Sequence, residues 1–160
     1  MDTLLPIAKR IAARLIERRE TIALAEGSSG GLIAAALLAV PGASRYFLGG
    51  AVVYTAAARS GLLTIGAAEM TGMRAATEPY AALLARRMRE RLGATWGLAE
   101  AGAAGPTGNR YGDPAGHSCF AVAGPTERTR ALRTGMADRE FNMRLFSSHA
   151  LALLAETIGA

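Results

Sequence analysis

Helical and strand-like segments alternate along this chain and end in a hairpin, which predicts an α/β fold. The expected form is a three-layer α/β/α sandwich around a mixed, mostly parallel sheet of about five strands with one antiparallel strand. Three observations carry this. Apolar positions at helical spacing alternate with short apolar, β-branched runs between Leu4 and Ala99. Clusters of Gly, Pro and Ser separate these segments. Two further runs, Ser118 to Ala123 and Arg128 to Arg133, turn on each other at Gly124-Pro125. At 160 residues the chain has the length of one domain, 1–160, and its 51% hydrophobic content and mean hydropathy of +0.20 suffice for a core.

The elements follow in order. Leu4, Ile7, Ile11, Leu15 and Ile16 repeat at helical spacing, with Asp2 or Thr3 as cap and Pro6 in the first turn, so residues 3–19 read as a helix. Thr21 to Ala25 reads as a strand entering the polar turn Glu26-Gly27-Ser28-Ser29-Gly30-Gly31, and Leu32 to Val40 as the helix after it. Pro41-Gly42 ends that helix. Tyr46 to Thr55 reads as a second strand, buried on both faces around Ala51-Val52-Val53, and a short helix runs on to about Leu63. Gly72 and Met73 lie in a loop. Thr77 then caps a helix opened by Glu78-Pro79 and closed at Gly93. Trp96 to Ala99 is a third strand, and the glycine- and proline-rich stretch from Gly102 to Gly116 is a long loop of the kind that carries function or stays disordered. After the hairpin, Asp138 caps a final helix to about Ile158.

Composition removes several classes of function. A single cysteine, Cys119, excludes an internal disulfide, and with only His117 and His149 no structural zinc set exists, so neither metal nor cofactor is expected. Cys119 lies in an apolar run and reads as a packed small residue. The net charge of +5 and pI near 10.1 suit an anionic partner. The basic residues are scattered arginines, Lys9 being the one lysine. The densest stretches, Arg14 to Arg19 and Arg86 to Arg91, fall on amphipathic helices as solvated faces. Without aromatic interleaving or a nucleic-acid signature, a small anionic molecule is the expected partner rather than DNA or RNA. No apolar window reaches membrane-spanning length and the N-terminus lacks a secretory pattern, so a cytoplasmic protein without membrane partners is expected.

In an open α/β sheet, ligands bind beyond the carboxyl ends of the strands. Three polar segments leave strand ends here and are expected to converge on one cleft. The Glu26 to Gly31 turn reads either as an anion site made of backbone N–H groups and two hydroxyls, or as a plain helix cap. His117 reads as a general base of suitable pKa or as a structural histidine, and Tyr54 as a site phenol or a packed ring. Glu100 at the end of the third strand must either meet an arginine, Arg59 being the attractive choice, or face solvent. Arg110 and Asp113 read as exposed loop residues or as a substrate clamp.

Several ordered segments resemble one family, the C-terminal domain of the CinA competence-damage proteins, also found alone as nicotinamide-nucleotide amidase. Ala25-Glu26-Gly27-Ser28-Ser29-Gly30-Gly31 is similar to the family's AESCTGG, and Pro41-Gly42-Ala43-Ser44 to its PGSS. Phe47 through Arg59 resembles F-x-G-G-x-V-x-Y-S-N-x-x-K, and Ala101-Gly102-Ala103-Ala104-Gly105-Pro106 resembles TGIAGP. Pro114-Ala115-Gly116-His117 is similar to P-V-G-T, and Ala137-Asp138-Arg139 to G-D-R. The resemblance implies a metal-independent hydrolase that converts the carboxamide of nicotinamide mononucleotide to a carboxylate, releasing ammonia. It also implies a homodimer or higher homo-oligomer, which the apolar helix faces permit. On the family pattern Ser44 is the nucleophile, Tyr54 the site tyrosine and Arg139 the substrate-supporting arginine. The family's lysine falls on Arg59 and its threonine on Ala101. Arginine does not give up its proton, so Arg59 suits an oxyanion or phosphate and not the role of base, which passes to Tyr54, His117 or Glu100. Ser28, Ser29, Ser44, Tyr54, Arg59, Gly102, Gly105 and Arg139 are expected to line one pocket, with Gly30, Gly31 and Ala101 beside the substrate. Two functions compete: a CinA-like amidase with altered catalytic residues, and a nucleotide-binding or oligomeric module that has lost the chemistry.

Overall fold

Large and small residues alternate along the central strands, and this decides how the layers assemble. In the computed structural model, which describes residues 1–160, five strands form one sheet. They are β1 (Ile22–Glu26), β2 (Phe47–Val52), β3 (Trp96–Ala103), β4 (His117–Ala123) and β5 (Arg128–Arg133), in the order β2-β1-β3-β4-β5. β1 pairs in parallel with β2 and β3, while β4 runs antiparallel to both β3 and β5. One strand therefore opposes the other four, as the sequence predicts. Helices α1 (Leu5–Arg18), α2 (Leu32–Leu38) and α5 (Arg139–Ile158) cover one face, and α3 (Ala56–Leu63) and α4 (Glu78–Leu92) the other.

Ile22, Leu24, Trp96, Leu98, Phe120 and Val122 project toward the first face and meet Ile11, Leu15, Leu37, Phe146 and Leu154. Each such side chain stabilises the fold by roughly 1.5–3 kcal/mol when fully buried. The opposite face carries Ala23, Ala25, Ala99, Ala101, Cys119 and Ala121. Because side chains alternate across a strand, the same residues that fill one layer leave the other nearly bare. α4 comes down onto that bare face until backbones touch. A Cβ on Gly97 would stand 2.0 Å from the Ala85 carbonyl oxygen, so only glycine fits there. Tyr80, Leu84 and Met88 of α4 supply the bulk of this second core.

Thr77 caps α4 and Gly93 closes it, and the Asp138 carboxylate accepts the Phe141 N–H at the start of α5. Other expectations are corrected. β2 is not buried on both faces. It is the outermost strand, pairs with β1 alone, and exposes Leu48, Gly50 and Val52; its apolar composition has no second neighbour to cover it. β3 continues past Ala99 because pairing with β4 extends to Gly102↔Ser118 and Ala103↔His117, so the loop begins at residue 104. Short 3-10 turns at Ala43–Arg45 and Ala68–Met70 leave no periodic trace in the sequence. No helix is long and apolar enough to cross a membrane.

Candidate functional site

β1, β2 and β3 are parallel, so their carboxyl ends share one edge of the sheet, and a cleft of about 460 Å³ opens there. That volume is in the range of small-molecule sites. Its walls come from Gly27, from Val53 to Ala56 with Arg59, from Ala75, Ala76 and Tyr80, from Ala101 to Gly105, from Thr107 to Tyr111, and from Arg139.

Three guanidinium groups face this space, each held by neutral protein groups. Arg139, the first residue of α5, donates from Nη1 to the Gly105 carbonyl at 2.6 Å and from Nη2 to the Tyr54 hydroxyl at 3.0 Å. It also lies 5.9 Å over the Tyr54 ring. Gly105 has φ +116, and a Cβ there would fall 2.5 Å from the Ala137 carbonyl oxygen. Glycine thus lets the loop pass close to the start of α5 and present its carbonyl to Arg139. Arg59 donates from Nε to the Ile65 carbonyl at 3.4 Å and stands beside Tyr80. Burial pushes the Tyr80 phenol up, and Arg59 offsets part of that. Arg110 lies 5.0 Å over the Tyr111 ring and donates to its hydroxyl at 2.9 Å.

The loop that carries Arg110 is ordered by its own polar residues. Asn109 Oδ1 accepts the N–H groups of Tyr111 and Asp113, closing a turn. Asp113, nearly buried, takes a bidentate pair from Arg74 at 2.6 and 3.1 Å and a bond from Asn109 Nδ2. The Arg74 bond holds its carboxyl down at about 2. Asp113 is therefore a structural brace rather than a substrate clamp.

Tyr54, Arg59, Ala101, Gly102, Gly105 and Arg139 meet in the cleft. Ser28, Ser29, Gly30 and Gly31 do not line it. Glu26 turns back beneath α2 and accepts Ser29 Oγ at 2.9 Å and the N–H groups of Gly31, Ile33 and Ala34 at 3.0, 3.1 and 2.7 Å. The expected anion site at this helix start is filled by the chain's own carboxyl group, whose pKa burial raises. Glu100, with no exposed surface, accepts Gly27 N at 3.2 Å, Ser29 N at 2.8 Å, Ser28 Oγ at 2.5 Å and Ser118 Oγ at 2.6 Å. The Arg59–Glu100 pair does not form. A buried carboxyl group without a cation must collect hydrogen-bond donors, and the two serines are consumed in supplying them.

Ser44 lies at the other end of the sheet. It sits exposed in the turn before β2, where the Tyr46 carbonyl accepts the Ile22 N–H at the start of β1. The six residues of β2 then separate it from Tyr54, roughly 20 Å at about 3.3 Å per residue. His117 is buried behind Ala76 and Ala103, with Nε2 2.8 Å from the Ala76 carbonyl oxygen. It is not among the residues lining the cleft, and its Nδ1 is buried without a partner. Cys119 is buried too, and burial pushes its thiol up to about 12, as suits a packed small residue. Sequence reasoning missed Tyr80 and Tyr111. Tyr80 is hidden among the apolar positions of α4, whereas an aromatic inside a glycine-rich loop was a usable signal for Tyr111.

Comparison with known proteins agrees with this fold. Residues 4–158 match the family model described as the CinA C-terminal domain. A CinA-like protein of Gloeobacter violaceus is 38% identical over 155 residues, covering 95% of this chain and 36% of that protein. One from Desulforapulum autotrophicum is 35% identical over 152 residues, covering 94% and 36%. The chain thus spans about a third of the length of these relatives. Among solved structures, a competence-damaged protein (CinA) superfamily protein from Escherichia coli superposes with a TM-score of 0.90 at 29% identity, covering 98% of this chain and 91% of that one. The competence/damage inducible protein CihA from Agrobacterium tumefaciens gives 0.90 at 26% identity, covering 99% and 96%.

Proposed function

Because the chain belongs to the CinA C-terminal domain family, we propose that it binds a pyridine nucleotide of the nicotinamide mononucleotide kind in the cleft at the carboxyl edge of its sheet, and that it hydrolyses the carboxamide far more slowly than a lysine-bearing member of the family. One observation carries this reading. Among the 20 residues lining the cleft there is no imidazole, carboxylate, amine or thiol. Arg59 stands where the family motif has lysine, and a guanidinium does not accept a proton. Arginines for a phosphate and the Tyr80 phenol for a planar ring remain, which supports binding rather than turnover. The hydroxyls of Thr55 and Thr107 have no imidazole, carboxylate, amine or thiol among the lining residues to activate them, and the Tyr54 hydroxyl already accepts from Arg139.

Ammonia release from nicotinamide mononucleotide, measured beside calorimetric binding of the same nucleotide, tests both halves. The expected outcome is binding with release near background. Restoring both family residues, Arg59→Lys with Ala101→Thr, is expected to raise release by about 10²-fold or more, the usual worth of general-base assistance. Adding Ser44→Ala to that pair is expected to leave the gain intact, since Ser44 sits at the opposite edge. Brisk hydrolysis by the unmodified protein overturns this reading.

A further inference from the structure

The charge in the cleft is unbalanced, and the imbalance describes the ligand. Arg59, Arg110 and Arg139 contribute three positive charges, and no acidic side chain is among the lining residues. None of the three pairs with a carboxylate anywhere in the molecule, whereas Arg74, just outside, is neutralised by Asp113. The groups that hold them are neutral: the Gly105 and Ile65 carbonyls and the Tyr54 and Tyr111 hydroxyls. A phosphomonoester brings about two negative charges at neutral pH, fewer than the three guanidinium groups, and a pyridinium ring on the same ligand widens the gap. Two of the three phenol rings are also already used by cations. Arg139 lies over Tyr54, and Arg110 and Arg74 both lie over Tyr111. These contacts supply no negative charge, so they leave the imbalance in place.

Resting on the nucleotide reading above, we infer that the cleft selects a phosphomonoester carrying a second, planar anionic group, a carboxylate, and discriminates against the corresponding carboxamide. Arg59 is the guanidinium assigned to that carboxylate. Its Nε is anchored on the Ile65 carbonyl and its guanidinium stands beside the Tyr80 hydroxyl, which fixes the planar group whose terminal nitrogens match a carboxylate in two parallel bonds. An amide offers one acceptor oxygen and turns a donor NH₂ toward the same cation. This chain is then a receptor for the acid form of its nucleotide, in place of a catalyst acting on the amide.

The test compares three probes by calorimetric titration of the unmodified protein at one ionic strength: nicotinate mononucleotide, nicotinamide mononucleotide and ribose 5-phosphate. The acid is expected to bind about tenfold or more tighter than the amide, the scale of one charge-assisted bond. Arg59→Gln is expected to bring the acid-to-amide ratio close to one, and Arg59→Lys, which keeps the charge without the fork, to leave it in between. If the amide binds the unmodified protein as tightly as the acid, this inference is overturned while the nucleotide reading stands. If none of the three probes binds, both fall.

Discussion

A carboxyl group with no exposed surface and no cation nearby depends wholly on hydrogen bonds, and Glu100 receives four, from two backbone amides and two serine hydroxyls. Removing the acceptor strands every donor at once. Glu100→Ala is expected to cost about 3 kcal/mol, because unsatisfied buried polar groups lose about 1–3 kcal/mol each and the site relaxes in part. Urea unfolding measures it, and a loss below about 1 kcal/mol would mean the cluster holds little of the fold. The sequence shows that Glu100, Ser28, Ser29 and Ser118 are polar residues beside or inside apolar runs. It does not show that they meet, since β1, β3 and β4 are brought together only by the sheet.

α4 packs against β3 with no room for a side chain at Gly97, a contact set by the alanines and Gly97 on one face of the strands. Gly97→Ala would drive a methyl group into the Ala85 carbonyl and force helix and strand apart. The expected cost is about 3 kcal/mol, at the upper end of overpacking effects. For a chain of this size that is a fall in Tm of roughly 6–12 °C. A thermal melt checks it, and an unchanged Tm would show that α4 shifts freely. The two edges of the sheet are built differently. β5 carries Arg128, Arg130 and Arg133 along its length, charge that discourages pairing with another chain, while β2 carries none. The periodic patterns located these strands, and only the sheet order revealed which of them were edges.

Across the whole molecule, acid acts on the fold through opposing groups. Asp113 has a folded value near 2 because Arg74 and Asn109 bond its ionised form, so its contribution is present above the ordinary carboxylate range. It is lost as pH falls from about 4 toward 2. Glu26 has the opposite sign, since burial raises its value and the fold favours its protonated form; its effect diminishes stability as pH rises above the ordinary carboxylate range. Chemical unfolding followed between pH 5 and 2 is expected to show a steep loss below pH 4 that is shallower in Asp113→Asn. Parallel acid limbs for the two proteins would remove Asp113 from this role.

Local chemistry determined much of this protein. The spacing of apolar residues fixed nearly all the helices and strands, Thr77, Gly93 and Asp138 marked helix ends, and the parallel alternation placed a cleft at the carboxyl ends of the strands, while the family motifs pointed to Tyr54, Arg59, Gly105 and Arg139, which line it. The elements, the caps and the cleft's place are properties of neighbours in the chain, or of a strand end and the loop that follows it. The tertiary structure decided the rest. It assigned the hydroxyls of Ser28 and Ser29 to buried carboxyl groups, placed His117 behind the cleft wall, and left Ser44 at the far edge of β2. Which side of a sheet edge a loop occupies, and which buried acid claims a nearby donor, depend on pairing between segments far apart in sequence. No local pattern carries that information.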